Sequence, residues 1–360
     1  MRTMRLIFTM VLAVCLVAFL SAFSACDKPT NAPQDKVYSE GLEYFSNGDG
    51  TCTVSGIGKC MDMEITIPAV SPAGDRVTRI GEKAFYDCRK VKSITISDGM
   101  TEIGNLAFDS CTQIETINIP DGVTSIGAGA FIHCRSLTNI TIPASVTNIG
   151  DCAFSYCSSL TSIIIPNGVM NIGYGAVMDC ISLTSIVIPD SVTIIGGWAF
   201  QGCHNVTDII IPDCATSIGD MAFDGCYKLT SVSIPDSVTS IGSSAFGHCF
   251  SLTSITIPDN VTSIGEEMFF GCNNLTSVSL EGVTSIGDRT FGHCTSLASV
   301  SISDSVIDIG CYAFDDCEKL SDVYFDGTIS QWQCIRVLRN NEYLYSATIH
   351  CTDGDILPES

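Results

Sequence analysis

One phrase returns along most of this chain at a fixed interval. Ile-Gly pairs begin at Ile103, Ile126, Ile149, Ile172, Ile195, Ile218, Ile241 and Ile264, always 23 residues apart, and continue at Ile286 and Ile309. The single 22-residue step falls between Leu280 and Val283, at a turn, where loss of a residue is tolerated. A unit this short cannot bury its own apolar side chains, but copies laid against one another can, so the period requires a stacked array. The expected structure is a repeat solenoid.

The well-preserved unit from Leu252 assigns each position a task. Ile255 and Ile257 are two apart, so a strand points both to one side and Thr256 to the other. Pro258 removes a ladder donor and ends the strand. Gly265 is read as permitting a backbone conformation closed to other residues, which turns the chain again. Each unit then runs strand, turn, short return segment, turn. Strand cores recur from Ile65 and Ile67 to Val323 and Phe325, giving one parallel β-sheet of about twelve short strands. At roughly 4.8 Å per rung the sheet is about 50 to 60 Å long. Phe85, Phe108, Phe131, Phe154, Phe200, Phe223, Phe246, Phe269, Phe291 and Phe314 hold a second column, broken by Val177, which predicts a buried aromatic spine. Leu42 to Phe45 and Thr51 to Val54 flank Asn47-Gly48-Asp49-Gly50, a hairpin signal expected to cap the first rung.

The pattern Leu-x-x-Ile-x-Ile, with Cys three residues before the Leu, resembles a leucine-rich repeat with Ile at several Leu positions. More narrowly it resembles the BspA-type leucine-rich repeat, and the likeness runs from Tyr38 to about Gly354. Thr51 to Gly58 is similar to that family's entry segment, and Phe325 to Trp332 with Ala347 to Gly354 to its closing unit. The resemblance implies a cell-surface protein, in a family several of whose members act as adhesins for host matrix proteins or other microbes.

The amino terminus reads as an address. Arg2 and Arg5 precede an apolar run from Leu6 to Leu20, and Phe23-Ser24-Ala25-Cys26 places small residues before a cysteine. This resembles a bacterial lipobox, with Phe23 where Leu is usual, and implies cleavage before Cys26 and acylation of its thiol. The alternative is an uncleaved anchor, since a bilayer needs ~20 apolar residues. Asp27 to Lys36 has no large apolar residue and should act as a tether. The expected division is a signal peptide over 1–25, a tether over 26–37, an N-terminal cap with a degenerate first repeat over 38–79, the solenoid over 80–325 and a closing unit over 326–360.

Charge excludes one class of partner. With 39 Asp and Glu against 17 Lys and Arg, the net charge is −22, and Arg89-Lys90 with Lys92 is the one basic cluster of the mature chain, so nucleic acid is not expected. Of the 20 cysteines, eleven form a column from Cys88 to Cys317. In-register neighbours sit near the ~4.8 Å rung spacing with parallel Cα–Cβ vectors, poor geometry for disulfides. The column reads as buried free thiols acting as small apolar fillers. Cys52 with Cys60 and Cys334 with Cys351, in the two caps, are better placed for any bridge. His133, His248 and His293 each precede a column cysteine, but no Cys-x-x-Cys cluster accompanies them, so no metal site is expected. Asp190, Asp213, Asp236 and Asp259 stack after the strand prolines and read as solvated turn residues.

Catalysis requires unlike polar groups converging in a pocket, whereas the units repeat the same Ser, Thr and Ile positions. No nucleophile elbow, phosphate loop or His-Glu-x-x-His occurs, and neither a cofactor nor a small-molecule substrate is expected. A pocket of non-repeated residues around Trp332 and Tyr343 is the remote enzymatic alternative. Binding has a clearer location. The solvent-facing strand position carries small hydroxyls in most units, but Ile164, Val187 and Ile210 on three adjacent rungs form an apolar patch. With Ser162, Ser185 and Asp208 beside it, this patch is the expected protein-binding face; the competing reading is an envelope spacer without a specific partner.

Overall fold

The computed structural model describes residues 38–358, so the signal segment, Cys26 and the tether lie outside the described residues. Among these the chain winds through about thirteen turns of a β-solenoid. The strand ladder starts at Glu64–Ile67 and advances in parallel, in-register steps: Ile65 beside Ile94, Ile163 beside Ile186, Ile255 beside Val278. Inward residues are buried and the alternate ones exposed, as in Ser254–Thr256, where Ile255 alone is covered. A rung beyond the expected twelve comes from the closing unit: Thr348–Cys351 pairs parallel with Asp322–Phe325, and Gly354–Ile356 folds back antiparallel to finish the sheet.

The return segment is more ordered than the sequence reading had it. The residues at each Ile-Gly pair form two-residue strands, Ser125–Ile126, Ile194–Ile195 and Ser263–Ile264 among them, and these stack into a second parallel ladder. The solenoid therefore has two ladders where one sheet was expected. The hairpin Glu43–Ser46 and Thr51–Gly56 caps this second ladder through parallel pairing with Arg76–Ile80. The first rung of the strand ladder is covered instead by Ser39, whose N–H donates to the Thr66 carbonyl at 3.2 Å.

The glycine after each of these isoleucines also has a different cause from the one inferred. Gly265 and its equivalents do not adopt positive φ. They are glycine because the rungs approach closely: a Cβ on Gly127 would lie 2.6 Å from the Asn105 nitrogen, and one on Gly104 2.8 Å from the Ile80 carbonyl oxygen. Positive φ appears at two other columns, filled mostly by non-glycine residues. Lys83, Leu106, Trp198 and Met221 occupy one, Asp87, Ser110, His133 and Tyr156 the other. A left-handed L-residue costs about 1–2 kcal/mol. The offset is a third set of inter-rung hydrogen bonds, in which Leu106, Phe108 and Ser110 each donate N–H to the next turn at 2.8 to 2.9 Å.

Between these walls lies the aromatic spine. The ten phenylalanines are fully buried, and stacked neighbours have ring centroids 5.2 to 6.1 Å apart. Val177 leaves an apolar void of about 10 Å³ between Phe154, Ile163, Val169 and Ile172. The cysteine column runs alongside, and from Cys111 onward each Sγ–H donates to a backbone carbonyl of the preceding turn: Cys134 to Phe108 at 3.3 Å, Cys272 to Phe246 at 3.2 Å.

The last turn has no successor, and Asn341 stands in for one. The Phe314 N–H, which elsewhere would reach the next rung, donates to Asn341 Oδ1 at 3.1 Å, while Asn341 Nδ2 donates to Gly310 and Leu338 carbonyls at 2.9 Å. Trp332 closes the core edge-on against Phe325.

Candidate functional site

The strand ladder sets the site. Each outward side chain at its central position emerges between an inward pair held by the core, so neighbouring rungs deliver equivalent atoms about 4.8 Å apart along the axis. Ser162–Ile164 and Ser185–Val187 pair in register, bringing Ser162 beside Ser185 and Ile164 beside Val187. Asp208–Ile210 continues the row and pairs with Ser231–Ser233, so Ile210 faces Ser233 and the apolar run ends there. Ile164 is 64%, Val187 52% and Ile210 72% exposed. All six residues expected at the patch therefore lie along one surface.

Hydroxyls around the patch divide into two sets. Thr161 and Thr184, at the strand entrance, each donate Oγ1–H to the threonine carbonyl of the preceding rung at 3.2 Å, which fixes the wall and occupies the donor. Asp208 holds its carboxylate through Thr207 Oγ1 at 2.8 Å and Ser231 Oγ at 3.4 Å. The patch is thus a row of branched apolar side chains on a rigid, hydrogen-bonded frame, suited to burying area against a complementary surface.

Residues missed by the sequence reading lie on the same turns. Met170, Tyr174, Ile181 and Ile194 are exposed, although their columns hold polar residues in most other units. Comparing every column, and not only the strand's central one, would have revealed them. A further row of rings, His204, Tyr227 and Phe250, stacks with centroids 4.2 and 4.8 Å apart, so neighbouring rings cover each other's faces.

The histidines before the cysteine column find carboxylate partners on adjacent turns. His133 Nδ1 lies 3.3 Å from Asp109, His248 Nδ1 2.9 Å from Asp224 and His293 Nδ1 2.8 Å from Asp316. At His293, Asp315 also comes close, and the three ligand atoms lie within 4.8 Å of one another. This grouping of exposed and half-buried side chains was not read from the sequence, and the His293–Asp316 contact lies within it. Cys52, Cys60, Cys334 and Cys351 all stand as free thiols, with Cys52 Sγ directed at the Asp75 carbonyl at 3.7 Å. Trp332, proposed as the wall of a remote catalytic pocket, is instead a buried part of the closing core.

The model of the BspA type leucine rich repeat region, in six copies, matches residues 78–207 and 199–321, more than half of the chain. This chain belongs to the BspA-type leucine-rich repeat family. A leucine-rich repeat protein of Bacteroides ovatus is 29% identical, with a TM-score of 0.68 over 84% of this chain and 90% of its own. A leucine rich cell surface protein of Faecalibacterium prausnitzii is 30% identical, with a TM-score of 0.50 over 87% of this chain and 99% of its own. The pneumococcal vaccine antigen PcpA shares the fold at 16% identity, with a TM-score of 0.51 over 90% of this chain and 98% of its own. No curated protein matches the chain. The BspA-type solenoid is a non-enzymatic scaffold, and leucine-rich repeats generally mediate protein interactions.

Proposed function

We propose that this protein is held at the cell surface by a lipid on Cys26 and captures protein partners, on host matrix or on other cells, through the solvent-facing side of its strand ladder. The observation that carries the binding face is the contiguous exposure of Ile164, Val187 and Ile210 on an otherwise hydroxyl-lined wall. Three branched side chains left in water on adjacent rungs gain by covering, at about 25 cal/mol per Å² of apolar area removed from solvent. Membership of the BspA-type family and the likeness to a cell-surface protein support the location. No helix among the described residues is long and apolar enough to cross a membrane.

The test is capture of matrix proteins and neighbouring cells by the wild-type chain and by the double variant Ile164→Asp, Ile210→Asp. Both positions face solvent, so the variant should melt like wild type while capture falls at least tenfold. Equal capture by a folded variant removes the patch from the binding face. A wild-type chain that captures nothing supports the spacer reading. Cys26→Ala should release the protein from the membrane fraction.

A further inference from the structure

The turns carrying the strand-face patch also carry a notch on the second ladder. In most other units the residue after the Ile-Gly glycine is polar, as at Asn105, Asp151, Asp220, Ser243, Glu266 and Asp288; at this turn it is Gly197, the one glycine of the column. The missing side chain leaves an open cavity of about 440 Å³ lined by Tyr174, Ile194, Gly197, Trp198, Asp220 and Ser240. A Cβ on Gly197 would lie 3.2 Å from the Asp220 carbonyl oxygen and 3.6 Å from the Tyr174 ring, so both border the gap. Tyr174 and Trp198 lie 5.8 Å apart between centroids, and Tyr174 is 47% exposed. Ile194 occupies a column that is polar in every other full unit, and Trp198 is the one indole in the repeats. Four departures from the repeat thus meet at one place.

The charge around them has one sign. From Arg135 to Lys228 the chain carries seven Asp, at 151, 179, 190, 208, 213, 220 and 224, and no Lys, Arg or Glu between. Asp151 and Asp220, both exposed, stand in the notch's own column on either side of Tyr174 and Gly197. Each spends one carboxylate oxygen on the next turn, Asp151 accepting from the Tyr174 N–H and Asp220 from the Ser243 N–H, both at 2.8 Å. The second oxygen of Asp220 is left to a ligand. Ring faces, a carboxylate and an apolar rim suit a guanidinium on a methylene stem: the cation lies over an electron-rich ring, the carboxylate pairs with it, and the stem covers Ile194.

We propose that this notch receives an arginine side chain from a basic segment of a protein partner. The proposal rests on the reading of this chain as a protein-binding protein, and adds to it a second contact on a different face of the same turns. A neutral saccharide would use the rings but not the surrounding charge.

The experiment titrates the full-length chain, at physiological salt, with a blocked octapeptide alternating Arg and Gly, and with the same peptide carrying citrulline for Arg. Trp198 emission reports locally, because Trp332, the only other indole, is buried. The arginine peptide should change the emission and bind at least tenfold more tightly than its citrulline counterpart. Asp220→Asn keeps the acceptor, as Asn105 does in the same column, and should weaken binding about two- to fivefold, the size of one exposed ion pair. Gly197→Asn supplies the kind of polar residue that most other units carry here and should weaken it at least tenfold, with a cooperative melting transition showing that the fold accommodates a Cβ 3.2 Å from the Asp220 carbonyl oxygen. Equal binding of the citrulline peptide, binding undiminished in Gly197→Asn, or an emission response to a neutral oligosaccharide and not to the peptide would overturn the proposal. The pair Ile164→Asp, Ile210→Asp should leave this titration unchanged. Loss of partner capture in the notch variants alone would remove the strand face and keep the notch, whereas intact capture with a flat wild-type titration would remove the notch and keep the strand face.

Discussion

Cys272 shows how one side chain serves the repeat. Its thiol is enclosed between the phenylalanine spine and the turn wall, and burial pushes its pKa up to about 12. Cys317 is pushed to about 12 by the same cause, and Cys180, Cys203, Cys226 and Cys249 are held well above the ordinary thiol value. The filler role read from the sequence is therefore incomplete, since each sulfur also donates to a carbonyl of the turn before it. A thiol that cannot ionise is a poor nucleophile. Alkylation of the native protein at pH 8 should modify Cys214 and Cys334, which are exposed, and spare the column from Cys111 to Cys317 until denaturant is added. Mass spectrometry finding the column alkylated in the native state, or largely bridged, would refute this.

At the scale of elements, the two ends differ from the middle because each lacks a neighbour. Asn341 supplies the donors and acceptor of an absent turn with its amide group. The final antiparallel strand, Gly354–Ile356, is tied by His350, whose ring lies between Asp322 at 2.9 Å and Asp355 at 3.1 Å and stacks on Tyr324. The Asp322 hydrogen bond, with the Asp355 bond and charge, raises the His350 pKa against a smaller effect of desolvation. The Asp322 pKa is lowered, first by the Ser321 hydroxyl and then by His350. A histidine whose pKa is raised by folding contributes stability fully below its unfolded value of ~6.5 and loses it as pH rises through the higher folded value. The lowered carboxylate contributes above its unfolded value of ~3.9 and fades as pH falls through the lower folded one. The end strand should therefore be tightest between about pH 4 and 6.5. Opening rates of the Gly354–Ile356 amides, corrected for intrinsic exchange, should rise from pH 6 to 8.5 in wild type. In His350→Gln they should be faster at pH 6 and nearly flat with pH; an unaltered profile would show that the imidazolium does not hold the strand.

The whole molecule stacks like charges as well as like apolar groups. Asp190, Asp213, Asp236 and Asp259 all project into solvent on successive turns of a chain of net charge −22. Repulsion between exposed charges is screened over about 8 Å at physiological ionic strength, so sodium chloride from 10 to 300 mM should raise the melting temperature by a few degrees. Calcium at matched ionic strength should add nothing, because turn carboxylates held in water are screened and not bridged. A calcium-specific rise in melting temperature would show that the aspartate column binds the ion.

Period and alternation determined the architecture: stacked turns, a parallel strand ladder, a phenylalanine spine and a cysteine column all follow from apolar residues that one 23-residue unit cannot cover alone. The strand-face patch was legible for the same reason, since a column with one repeated role makes Ile164, Val187 and Ile210 visible as departures. What tertiary structure decided is contact between turns. The second ladder, the close approach that requires Gly104 and Gly127, the left-handed columns and the notch at Gly197 each depend on how near one backbone lies to the next. Periodicity reports which side chains share a face, but the distance between neighbouring turns is set only when their backbones hydrogen-bond.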